Sequence, residues 1–147
     1  MDNETTVKLK IYEMIARGGR MPDAFDLANE LDLPVEQIRT SFKHLYAKRL
    51  LVLEPDNDNK IRMAPPFSGI RTPFQVEVLD KSYYANCVWD AYGVAAALQE
   101  QAVIRASDGY TREALTLQVV GGKPVPCDYL AHFAVPAAHW WDDIIYT

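Results

Sequence analysis

Three apolar helical stripes in quick succession, followed at once by a strand–turn–strand run, restrict the folds open to this chain more than any other feature. Residues 6–16 set Val7, Leu9, Ile11, Met14 and Ile15 largely on one stripe, which ends at Gly18-Gly19, a natural C-cap. A second helix fits residues 22–31. There Pro22 suits a first turn, and Phe25, Leu27, Ala28 and Leu31 supply the apolar side. After the short turn Asp32-Leu33-Pro34, a third helix carries Val35, Ile38, Phe42, Leu45 and Tyr46 at steps of three and four. Residues 50–53 are strand-like, residues 55–59 form a strong turn, and residues 60–63 alternate again. This order predicts a winged helix-turn-helix domain over residues 1–65, with Pro65-Pro66 breaking the chain as a linker.

A winged helix raises the question of DNA. Helix three exposes Gln37, Arg39, Lys43 and His44, and the hairpin adds Lys60 and Arg62, residue types that read base edges or phosphates. Charge argues the other way. The chain of 147 residues carries a net charge of −5. Residues 1–65 hold ten Lys/Arg against eleven Asp/Glu, and residues 66–147 hold five against nine. A near-neutral first half and an acidic second half do not suit a protein that coats nucleic acid. A winged helix also serves as a packing module, and both uses stay open on the residues alone. The longest apolar run, residues 93–98, is far too short to span a membrane, and the acidic N-terminus does not resemble a secretory leader.

The second half, residues 66–147, reads as a small mixed α/β domain. Residues 74–78 alternate as a strand and residues 79–81 turn. The Ala-rich run to Leu98 is helical by propensity, with Asn86 as its N-cap and Cys87 in its first turn. Residues 102–106, 115–120 and 129–135 read as strands, separated by turns at 107–109 and 121–124. The aromatic tail from Trp140 to Thr147 has the composition of a packed element.

Cys87 and Asp90 are the chemically suggestive pair. A thiol at a helix start feels the positive end of the helix dipole, which favours the thiolate. A carboxylate three residues on projects from the same face, can share or relay a proton, and by itself raises the thiol pKa. The plain alternative is a small buried thiol beside a helix-stabilising first-turn carboxylate. Cys127 is the other cysteine. Without CxxC or Cys/His spacing the two predict no zinc site, and free thiols of this kind fit a reducing, cytoplasmic setting.

The run Tyr84-Ala85-Asn86-Cys87-Val88-Trp89-Asp90, set after a winged helix, a Pro-containing connection and a strand, resembles the alkylmercury (organomercurial) lyase family. Its most specific element is Tyr-Ala-x-Cys-x-x-Asp, and the similarity runs from about Phe67 onward. The resemblance implies an α+β chain whose second domain is of the alkylmercury-lyase type. It also implies protonolysis of carbon–mercury bonds by two cysteines and an aspartate. Cys87 would match the cysteine that captures mercury, and Asp90 the aspartate that passes a proton to the leaving carbon. Mercury enters as substrate or ligand, and no cofactor is implied. The family's second cysteine is expected just beyond the region of residues 132–147. Cys127 lies upstream of that position and is at most an additional mercury ligand. The resemblance thus implies an organomercurial-binding protein, cleaving or degenerate, whose domain is left incomplete or completed by a partner chain in an oligomer. The alternative from the first half is a winged-helix regulator that senses a metal through Cys87.

Overall fold

The computed structural model describes residues 2–146. Helix α1 (Asn3–Gly18) starts where the Asp2 carboxylate accepts the Thr5 amide, and it stops at Gly19, whose positive φ of 73° ends the helix. Helix α2 (Ala24–Leu31) begins two residues later than the Pro22 start predicts. Asp23 and Asp26 form a reciprocal capping box, and that cap sets the boundary. Helix α3 (Val35–Ala47) opens at Pro34 as expected. Val7, Ile11, Ile15, Leu27, Ile38, Phe42 and Leu45 from the three helices are buried together in the core. Full burial of one such aliphatic side chain stabilises by about 1.5–3 kcal/mol.

Eight strands follow: β1 (Val52–Glu54), β2 (Asn57–Ala64), β3 (Phe67–Ser68), β4 (Phe74–Val78), β5 (Lys81–Ala85), β6 (Ala102–Ser107), β7 (Ala114–Val120) and β8 (Lys123–Pro124). Helix α4 (Val88–Leu98) lies between β5 and β6. The strands make one sheet in the order β1-β2-β3-β5-β4-β6-β7-β8, with every neighbouring pair antiparallel. The fold is α+β. Helix α4 packs on β4, β5 and β6, burying Ala91, Val94 and Ala95 against a core that includes Val76 and Ile104. No helix among the described residues is long and apolar enough to cross a membrane.

Several sequence expectations change. Pro65-Pro66 is a cis-linked tight turn between the paired strands β2 and β3, so the sheet runs straight through the expected linker. The turn of the β1–β2 hairpin is shorter than residues 55–59, because Asn57–Asn59 already pair or extend as part of β2. β3 and β5 are missed by the sequence reading, the first for its two-residue length and the second because residues 81–85 run directly into the helix start. Residues 129–135 form no strand. They follow the two-residue β8 as irregular, exposed chain, since the turn at Gly121-Gly122 is followed by only two paired residues. The tail is a 3₁₀ helix (Ala137–Asp142) with no buried residue, and it lies over a cavity rather than inside a packed element.

Gly69 ties the β2–β3 turn region to β2. Its amide donates to the Arg62 carbonyl at 2.7 Å, and a Cβ there would meet the Ile61 carbonyl oxygen at 2.3 Å. Gly69→Ala therefore forces backbone apart and is expected to cost about 1–3 kcal/mol, read as a lower urea midpoint. An unchanged midpoint would contradict the close approach.

Candidate active site

The N-cap of α4 is Cys87 itself, with extended backbone angles, and not Asn86. Its sulfur takes the place of a capping oxygen by accepting the Asp90 amide at 3.5 Å. Asn86 is displaced from that role because its side chain faces another partner. Its Nδ2 donates to Asp90 Oδ2 at 2.9 Å and lies 3.5 Å from the carbonyls of Pro66 and Phe67. Asn86, Cys87 and Asp90 are thus three consecutive features of one turn, with the carboxylate held by its neighbour's amide and the sulfur held by its backbone.

All three residues line one cavity of about 330 Å³. Arg62 and Met63 of β2 form part of its wall, and Trp89, Trp140, Trp141 and Ile144 give it a largely apolar side. Trp89 is 67% exposed although it stands between the two reactive side chains in sequence. The tail is fastened by the Trp140 indole donating to the Val135 carbonyl at 2.8 Å, by the Phe133–Trp140 ring contact at 5.4 Å, and by the Arg49 guanidinium 5.9 Å from the Trp141 ring. Gly93, one turn beyond Asp90, lets α4 approach the β2–β3 turn. A Cβ at that position would stand 3.0 Å from Pro66 Cβ.

Burial decides the electrostatics. It pushes the Cys87 thiol above its ordinary pKa. The Asp90 amide works against that rise, and the Asp90 charge adds to it. The helix start favours the thiolate, but burial moves the thiol pKa upward, the direction in which the carboxylate was also expected to push it. Asp90 is also raised by burial, with the Asn86 hydrogen bond pulling it partly back. On α1, Tyr12 is raised by burial and then by the nearby Asp90 charge, while its hydroxyl donates to the Pro65 carbonyl at 2.9 Å. A carboxyl whose pKa is raised by burial holds its proton to higher pH than a free one.

Cys127 is exposed and lines a separate cavity of about 320 Å³, with Phe74, Val88, Tyr92 and Leu130. The structure brings Cys87 and Asp90 together and leaves Cys127 elsewhere. Among the described residues no group of three or more His, Cys, Asp or Glu side chains is arranged to hold a metal ion. Arg62, Asn86 and the aromatic tail join the site through the fold, with no local motif to mark the first two. The Trp pair was the available signal, since two adjacent indoles near a chain's end need a surface to cover.

The family model described as MerB, alkylmercury lyase, matches residues 67–147, more than half of the chain. The chain belongs to the alkylmercury lyase family. The match covers strands β3 to β8, α4 and the tail, and so both Cys87 and Asp90. A solved structure described as the mercury-bound form of MerB2 shares the fold, with a TM-score of 0.66 and 22% identity. That alignment covers 86% of this chain and 60% of the other, so this alkylmercury lyase family member spans less than two thirds of that structure's length. No curated protein matches.

The burial of Cys87 sets its behaviour toward reagents and pH. A folded-state pKa above the unfolded one gives stability that is fully present below the unfolded value and is lost as pH rises through the folded value. In a brief neutral-pH pulse of iodoacetamide, exposed Cys127 is expected to be labelled well before Cys87, as read by peptide mass spectrometry. Equal labelling would contradict the buried, protonated thiol.

Proposed function

We propose that this chain is an organomercurial-lyase-like protein that captures organic mercury through Cys87 and protonates the carbon of the carbon–mercury bond with Asp90. The observation that carries the reading is the shared cavity of the two side chains at the start of α4, with the Asp90 amide bound to the sulfur and Asn86 holding the carboxylate. Family membership supports the same chemistry.

Capture exchanges a proton for mercury. The Cys87 S–H bond breaks, a sulfur–mercury bond forms, mercury's former ligand departs, and the proton moves to the Asp90 carboxylate. Mercury is a soft ion that sulfur holds tightly, so a thiol protonated at rest still reacts provided a nearby base takes its proton. In the second step the Asp90 carboxyl gives that proton to the carbon as the carbon–mercury bond breaks. Hydrocarbon leaves and inorganic mercury stays on Cys87. Nothing is oxidised or reduced. Cys127 faces the other cavity and does not join Cys87 on the product ion. The apolar side of the cavity receives the organic group and keeps water from competing for the proton.

The regulator reading is the weaker one. On α3, Arg39 is paired with Glu36 and donates to Asn59 Oδ1 at 2.6 Å, and Lys43 pairs with Asp58 at 3.2 Å. Two of the side chains that would meet DNA are engaged within the helix–hairpin unit, which supports a structural use of that unit over a DNA-reading one.

Cys87→Ser is expected to abolish binding of phenylmercury measured by calorimetry. Asp90→Asn is expected to retain binding while release of benzene falls at least about a hundredfold, the order of a lost general acid. Benzene release unchanged in Asp90→Asn would remove the assigned role. In a gel shift on neighbouring promoter DNA at low salt, where phosphate contacts are strongest, mobility is expected to stay unchanged. A shift would favour the regulator.

A further inference from the structure

Asn86 stands at the position that the Tyr-Ala-x-Cys-x-x-Asp pattern leaves open, and its side chain reaches one helical turn ahead to the acid. Its Nδ2 donates to Asp90 Oδ2 at 2.9 Å and lies 3.5 Å from the carbonyl oxygens of Pro66 and Phe67. An amide nitrogen carries two hydrogens, so one serves the acid while the other faces those carbonyls. Turning the amide over would set Oδ1 against a carboxylate oxygen and the same carbonyls, acceptors facing one another with no hydrogen between them. The observed orientation holds although it leaves Oδ1 buried with no hydrogen-bond partner. An empty buried acceptor is costly, so the contacts of Nδ2 decide how this side chain sits.

Among the described residues this is the one hydrogen bond that the Asp90 carboxylate receives. Held through Oδ2, the carboxyl cannot rotate without losing it. A proton on that group belongs on Oδ1, because Oδ2 already faces an N–H. The hold also reaches beyond α4, since Phe67 is fixed in the sheet by its pairing with Ala64 and Ala85. We propose that Asn86 is a positioning residue for protonolysis: it ties the Asp90 carboxyl by one oxygen to the start of β3 and leaves the other, Oδ1, to give the proton. The proposal rests on Asp90 as the proton donor. In that step the Oδ1–H bond breaks, and the carbon takes the proton with the electron pair of the breaking carbon–mercury bond. Hydrocarbon leaves, mercury stays on Cys87, and a carboxylate remains under the Asn86 N–H. Asn86 itself neither gives nor takes a proton.

The test is a double-mutant cycle read by single-turnover benzene release, with phenylmercury affinity measured by calorimetry on each variant. Asn86→Leu fills the space of the amide without its donor. It is expected to slow benzene release about tenfold, the scale of one charge-assisted hydrogen bond, with affinity unchanged. Added to Asp90→Asn, which is already slow, Asn86→Leu is expected to cost nothing further, because a residue acting through the acid has nothing left to position. An unchanged rate in Asn86→Leu, or a loss confined to affinity, would overturn the proposal. So would a second tenfold loss on top of Asp90→Asn, the mark of a general structural role. None of these results touches Asp90 as the donor. Benzene release unaffected by Asp90→Asn alone would overturn that reading and the role of Asn86 with it. Should Asn86→Leu fail to fold, Asn86→Ala carries the same cycle.

Discussion

The single register pair between Phe67 and Ala85 holds the two halves of this molecule in one sheet. On one side of it, Ala64 of β2 pairs with Phe67, and on the other, Ala85 pairs with Phe74 of β4. Without that pair the strands after Ser68 would have no strand-to-strand pairing with the helix-and-hairpin unit. The Phe67 ring reinforces it, lying 6.3 Å from the Tyr12 ring and 5.5 Å from the Tyr83 ring. Tyr12 then donates to the Pro65 carbonyl, and Tyr83 donates to the Ala16 carbonyl at 3.1 Å. Two hydroxyls and three rings therefore fasten α1 to the middle of the sheet, with each aromatic body dry and each polar end satisfied.

The position of the reactive turn follows from this. Ala85 is the last residue of β5, and Asn86 and Cys87 follow immediately. The strand end is fixed by its pairing with β3 and β4, so the helix start is fixed as well, and the Asn86 amide comes within reach of the Pro66 and Phe67 carbonyls. Arg62 arrives from β2 because the turn at Pro65-Pro66 folds β2 back alongside β3. The cavity is therefore a product of sheet register more than of any local motif.

What was legible in the sequence divides along the same physical line. Periodicity located α1 to α3, the Ala-rich helix, and the strands at 74–78, 102–106 and 115–120, because each buries one face against a large neighbour. The short strands were not legible. β3 and β8 have two residues each, too few for alternation to show. Residues 129–135 alternate like a strand yet stand exposed and unpaired, since pairing is a property of the neighbour and not of the run. At the site, the spacing of Cys87 and Asp90 was readable, but their protonation was not. The helix start that favours a thiolate is visible in sequence, whereas the burial that raises the thiol pKa, in a cavity walled by the tail and β2, is not. Arg62 looked like a hairpin cation, and only the fold turns it toward the site.

Gly93 has no functional group, yet the close approach of α4 to the β2–β3 turn depends on it. It allows α4 to lie against Pro66 with only 3.0 Å to spare for a first carbon. A branched residue there would push α4 outward from the turn at Pro65-Pro66, carrying the Cys87–Asp90 turn with it while leaving the thiol-to-acid spacing untouched. A chain could thus keep every reactive atom of the motif and still lose the room in which those atoms meet, through bulk placed where no chemistry occurs.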